Sequence, residues 1–177
     1  MVPSFQKVLA SRSSRAAVLS LVLVLSLLPG AAPALAKTDG HHLPFKGRLQ
    51  AVEIGIFDPG PPVTVSVTAT GSGHATHLGR FTYSYTVVIF LNPDNSGTGT
   101  LYYDFVAANG DHLYSVGQGY GVPVGDFNHV VEHHTITGGT GRFAGATGRF
   151  TVDRLISHAT AVTSGTLDGY IVLDHDD

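Results

Sequence analysis

Apolar and polar residues alternate with a period of two from about residue 45 almost to the end of the chain, and a chain patterned this way must fold as sheet. Val63, Val65, Val67 and Ala69 alternate with Thr64, Ser66, Thr68 and Thr70. Such a strand has one apolar face and one hydroxyl face. Phe81, Tyr83, Tyr85, Val87 and Ile89 make a longer apolar face, interleaved at first with Thr82, Ser84 and Thr86. Leu101, Tyr103 and Phe105 repeat the pattern, as do Phe150 with Val152 and Leu167, Gly169, Ile171 and Leu173. Thr, Val, Tyr and Phe dominate these runs, as strands prefer. No segment past residue 36 carries a helical stripe.

Turn signals separate the runs: Asp58-Pro59-Gly60-Pro61-Pro62, Asn92-Pro93-Asp94-Asn95, Asn109-Gly110-Asp111 and Thr137 to Gly141. Eight strands are predicted, near 45–53, 63–71, 79–91, 98–107, 112–120, 127–137, 146–157 and 160–173. Short connections make neighbours antiparallel. Only 13% of residues are charged, so exposed strand edges would be poorly protected. The expected fold is therefore an all-β, eight-stranded, antiparallel up-and-down β-barrel, since closure removes edges. A two-sheet β-sandwich is the alternative. Gly117, Gly119, Gly165 and Gly169 fall inside strand patterns, where glycine marks bends or bulges. An eight-stranded interior holds its own side chains or one small ligand.

The first 36 residues read differently. Lys7, Arg12 and Arg15 precede the 13-residue run Ala16 to Leu28, apolar except for Ser20 and Ser26. Pro29-Gly30 follows, then Ala34-Leu35-Ala36, a small-x-small cleavage pattern. That order is a secretory signal, and its apolar run is short for a membrane span. Cleavage after Ala36 leaves 7 Lys and Arg against 13 Asp and Glu, a net charge of −6. The expected mature chain is secreted or periplasmic and free of the membrane. Residues 37–44 form a flexible N-terminus, and 45–177 the barrel domain. A chain this acidic is not expected to bind nucleic acid. It has no cysteine, which excludes disulfides and zinc–thiolate sites and leaves core and hydrogen-bond ladder to hold the fold.

Gly-Arg-Phe occurs at 79–81, 141–143 and 148–150. The segment Thr137-Gly138-Gly139-Thr140-Gly141-Arg142-Phe143-Ala144-Gly145-Ala146-Thr147-Gly148 resembles the glycine-rich turn of the barrel shared by plant dirigent proteins and allene oxide cyclases. Gly73 to Thr82 is similar to a segment of secreted bacterial proteins placed in that superfamily. The resemblance implies an eight-stranded antiparallel barrel, in agreement with the strand count. It makes Gly138, Gly139, Gly141, Arg142, Phe143, Gly145 and Gly148 a structural motif leading into a strand. It also implies a possible homo-oligomer. No residue here matches the family's catalytic or ligand-contacting positions, and a shared fold does not confer an activity.

Candidate functional residues follow from residue type. Tyr83, Tyr85, Tyr103, Phe105 and Tyr114, with Tyr102 and Tyr120, can line a small apolar cavity with polar tips or simply pack the wall. Histidine is frequent, at ten residues. His74, His77, His129 and His133 are candidate metal ligands as imidazole donors. In a strand, His129 and His133 share one face, and Glu132 and His134 share the other. Two residues four apart sit roughly 13 Å apart along a strand, so one ion would need a cross-strand partner. Asp104 and Asp153 are candidates for pairing with Arg80, Arg149 or Arg154. Catalytic templates are missing: there is no Gly-x-Ser-x-Gly, no His-Glu-x-x-His, no phosphate loop and no cysteine nucleophile. The catalytic residues are unknown, and no cofactor is expected. The expected function is a secreted non-catalytic barrel that takes a small apolar ligand or a partner. The alternatives are a cyclase- or isomerase-type enzyme acting in the barrel mouth, which works by positioning and needs few charged groups, and a histidine-based metal binder.

Overall fold

The alternating runs pair into eight strands. A computed structural model describes residues 41–174; the segment read as a signal and the last three residues lie outside the described range. The strands are β1 (Leu43–Asp58), β2 (Thr64–Ala75), β3 (Gly79–Leu91), β4 (Gly97–Ala107), β5 (His112–Val124), β6 (Phe127–Gly139), β7 (Thr147–Ser157) and β8 (Val162–Val172). Each pairs antiparallel with the next, and β8 pairs back onto β1, so the sheet closes as a barrel. Closure excludes the sandwich.

The expected boundaries hold to within two residues for five strands. Three strands differ more. β1 starts at Leu43, two residues inside the segment read as flexible, and runs on to Asp58. β2 extends to Ala75 and β5 to Val124. The β1 extension escapes the apolar pattern because its outward positions are Ile54 and Ile56 while Gly55 stands inward, which inverts the alternation.

Inward faces alternate as period two requires. Phe45, Leu49 and Ala51 of β1 are buried, as are Phe81, Tyr83, Tyr85 and Val87 of β3 and Leu101, Tyr103 and Phe105 of β4. Their rings interlock: Tyr85 lies 4.7 Å from Tyr103, and Phe105 packs edge-on to Phe81 at 5.3 Å. Burial of each such side chain is worth about 1.5–3 kcal/mol, and aromatic pairing adds about 0.5–1.5 kcal/mol. Outward positions carry the hydroxyl residues, with Thr68, Thr70, Ser72, Ser84 and Thr86 all exposed.

One end of the barrel is plugged. The β2–β3 turn inserts Leu78, and a 3-10 turn over Gly141–Phe143 inserts Phe143; both are almost wholly buried. Arg142 ties the two turns together, donating through Nη2 to the Leu78 carbonyl at 3.1 Å. Its guanidinium also lies 4.7 Å above the Phe143 ring. Gly141 takes φ +52, and a Cβ there would fall 2.0 Å from an Asp111 carboxylate oxygen. The glycine-rich segment thus builds a lid on the barrel floor before β7 begins. The opposite end, bounded by residues 59–63, 92–96, 125–126 and 158–161, is the open mouth.

The four glycines singled out within strands do not mark bulges. Between β5 and β6 the register shifts at Tyr114/Ser115, away from Gly117 and Gly119. Gly117, Gly119, Gly165 and Gly169 share parity with the buried Leu113, Ser115, Thr163 and Leu167 of the same strands and so face inward. There they make room for neighbours. A Cβ on Gly165 would stand 2.5 Å from Arg154 Cβ, and one on Gly117 would stand 2.5 Å from the His134 ring.

Candidate functional site

Below the open mouth lies a pocket with a cavity volume of about 90 Å3. Its walls are Val87, Ile89, Leu91, Leu101, Val130 and Ile156, with Asn95, Thr98 and Asn128 also contributing. One wall has no side chains. Gly97 faces Gly121 across the β4–β5 pair, and Gly99 faces Gly119. A Cβ on Gly99 would fall 2.5 Å from Val87 Cγ2, and one on Gly119 would fall 2.8 Å from Leu101 Cδ1. The inward glycines of β4 and β5 therefore let Ile89, Val87 and Leu101 pack against bare backbone, and among the four only Gly121 has room for a side chain.

Two charged residues, Glu132 and Arg154, also line this apolar pocket. Both are buried, Glu132 completely. β6 and β7 deliver them by parity, since Glu132 shares a face with His134 and Ile136, and Arg154 shares a face with Val152 and Phe150. Arg154 Nε donates to Glu132 Oε1 at 2.8 Å, and Nη2 lies 2.8 Å from the same oxygen. Nη1 donates to Thr163 Oγ1 at 3.0 Å and also to Glu53 Oε1. Glu132 Oε2 accepts from the Tyr103 hydroxyl at 2.7 Å and meets His134 Nε2 at 3.1 Å. Tyr85 donates to Glu53 Oε1 at 2.5 Å and lies beneath the Arg154 guanidinium, 5.2 Å away. The register explains the convergence: Glu53, Ala69, Tyr85 and Tyr103 form one row across β1 to β4.

Electrostatics keep Glu132 and Arg154 ionised. Burial alone would raise the Glu132 carboxyl, but the Arg154 charge and the His134 and Tyr103 hydrogen bonds outweigh burial and hold it below its ordinary value. Burial would likewise lower the Arg154 guanidinium, but Glu132, Tyr103, Tyr85 and Glu53 hold it well above its ordinary value. The phenols of Tyr83, Tyr85 and Tyr103 are all pushed up, chiefly by burial. Two carboxylates thus surround one guanidinium inside the barrel.

Ser115, His134 and Glu132 stand in the order of a hydroxyl–imidazole–carboxylate relay. Ser115 Oγ lies 3.2 Å from His134 Nδ1. The His134 ring is clamped flat on Phe150, with centroids 4.8 Å apart and planes 4° apart. Both Ser115 and His134 are buried, and neither lines the pocket. The relay is therefore a core hydrogen-bond chain that fixes Glu132.

The residues proposed from sequence separate into distinct places. Tyr83, Tyr85, Tyr103 and Phe105 face inward, but they fill the core beneath the pocket and do not line it. Tyr114 is corrected: it points outward and is exposed, packing near His112, as strand alternation beside buried Leu113 and Ser115 demands. Tyr102 and Tyr120 are outward as well. His129 and His133 do share the outer face of β6. His129 pairs with Asp153 at 2.8 Å, and His133 meets Thr151 at 3.2 Å. His74 is outward on β2 opposite Arg48 and Arg80, and His77 occupies the β2–β3 turn at φ +61. Among the described residues no three His, Asp or Glu side chains group so as to hold a metal ion. Asp104 pairs with His112 rather than with an arginine.

The site residues that sequence reasoning missed are Arg154 as the inward partner of Glu132, Glu53 as the second carboxylate on Arg154, and the paired glycines. Parity could have found the first two, since Glu53 continues the Leu49–Ala51 face and Arg154 the Phe150–Val152 face. No protein-family model matches the chain, and no curated protein matches it significantly.

Proposed function

We propose that the chain is a secreted, non-catalytic binding barrel that admits one small apolar molecule through its open mouth. The observation that carries this reading is the pocket itself: apolar walls, one wall of bare backbone, and the Glu132–Arg154 pair. Binding sites are typically concave and mostly apolar, with a few fixed polar groups that set orientation. At Gly121 the wall has room for a side chain, since a Cβ there meets only Val130 Cγ2 at 3.2 Å and the His129 carbonyl at 3.8 Å, and the chain leaves that space beside the pocket unfilled. A proton-moving isomerase fits less well. Glu132 would have to give or take a proton, yet its oxygens are already engaged and it is held ionised.

The test is occlusion. A Cβ at Gly121 meets Val130 Cγ2 at 3.2 Å and little else, so Gly121→Leu fills the mouth from the wall without touching the ion cluster. Native mass spectrometry of wild-type protein from its own host should show a retained organic mass. The variant should lose it and keep its melting temperature within a few degrees. Retention by the occluded variant, or a bare wild-type mass, overturns the reading.

A further inference from the structure

We propose that the molecule in the mouth pocket is uncharged and offers Arg154 a hydrogen-bond acceptor, a carbonyl or ether oxygen, from an otherwise apolar body. This deepens the binding reading above and rests on it.

A carboxylate has about four acceptor positions, and a guanidinium has five N–H donors. Glu132 has no position left: Nε and Nη2 of Arg154 take Oε1, and Tyr103 and His134 take Oε2. Arg154 is not saturated. Nε serves Glu132, both hydrogens of Nη1 serve Glu53 and Thr163, and one hydrogen of Nη2 serves Glu132. The second Nη2 hydrogen has no acceptor among the described residues. Of the two charged residues lining the pocket, one therefore keeps a donor to spare and the other keeps no acceptor.

Charge excludes the other heads. An anionic ligand would bring a third carboxylate to one guanidinium that already holds Glu53 and Glu132, away from screening water. A cationic ligand would lie against the Arg154 charge and find Glu132 filled, leaving its own donors unpaired in an apolar pocket. A hydrocarbon would fit the walls but leave the spare donor without a partner, and such groups are costly when buried. A neutral oxygen meets all three constraints.

Four probes of similar size separate the outcomes: 2-pentanone, its isosteric alkene 2-methyl-1-pentene, pentanoate and pentylammonium. Each is titrated into the mature protein while the methyl signals of Leu101, Val130 and Ile156 are followed by NMR. The ketone should bind at least tenfold tighter than the other three. Its carbonyl stretch should shift to lower frequency, which a purely apolar fit would not cause. If the alkene binds as tightly, or if pentanoate or pentylammonium binds best, the acceptor inference fails while the pocket reading stands. If no probe moves those methyls, the pocket reading falls and this inference with it.

Discussion

Tyr83, Tyr85 and Tyr103 sit in one aromatic stack but differ in what their hydroxyls meet. Tyr85 donates to Glu53 and Tyr103 to Glu132. The Tyr83 hydroxyl is buried without a hydrogen-bond partner among the described residues. Hydrogen bonds to charged groups are worth about 1.5–3 kcal/mol, and an orphaned buried polar group costs about 1–3 kcal/mol. Tyr85→Phe and Tyr103→Phe should each lower stability by about 1.5–3 kcal/mol. Tyr83→Phe should leave it unchanged or raise it by about 1 kcal/mol. Urea unfolding of the three variants checks the contrast, and equal losses would contradict it. At this scale the sequence was half legible. Alternation turned these tyrosines inward and placed Glu132 opposite His129. It carried no information on which hydroxyl meets which carboxylate, because that depends on stagger between strands far apart in the chain, such as Glu53 and Arg154.

The strands were legible because each alternates, and their ends were less so. β1 is the instructive case. β8 pairs with it only from Leu43 to Val52, yet β1 runs on to Asp58 along β2. The Glu53 amide still reaches the Ala161 carbonyl at 3.0 Å. By alternation, the amides and carbonyls of Gly55 and Phe57 face the same open side. Ile54 and Ile56 are 67% and 71% exposed on this overhang. An apolar strand with an open edge is a template for pairing with another chain. Ile56→Lys should therefore suppress concentration-dependent light scattering while changing stability by no more than about 0.5 kcal/mol, as surface substitutions do. Scattering that matches wild type would show the overhang to be inert. The extension escaped the sequence reading for the reason that gives it interest: its apolar residues Ile54 and Ile56 stand on the outward face and Gly55 on the inward one, so the inward apolar rhythm stops while the hydrogen-bond ladder continues.

For the whole barrel, the buried ions set the pH range of stability. Glu132 is held below its ordinary value of 4.5. Its contribution is complete above that pH and is lost as the pH falls through the lower folded value. The buried tyrosines are held above their ordinary value of 10.0. Their contribution is complete below that pH and is lost as the pH rises beyond it. Unfolding midpoints should thus be level between the two limits and fall on either side. Arg154→Met should cost about 3–5 kcal/mol at neutral pH, since it strands buried carboxylates without their cation. It should also tilt the plateau. One of the two carboxyls must then hold a proton, so the variant should be more stable at pH 5 than at pH 8. Denaturant midpoints at those two values decide it, and a flat profile would mean that the cluster does not depend on its guanidinium.

The plug formed by Leu78 and Phe143 has a kinetic consequence. A barrel sealed at its floor is a cul-de-sac: whatever enters through the mouth must back out by the same door. Nothing can be pushed through from behind, and a newcomer must wait until the occupant has left. If the barrel binds as proposed, turnover of its contents is limited by departure, and no excess of competitor outside can hurry it.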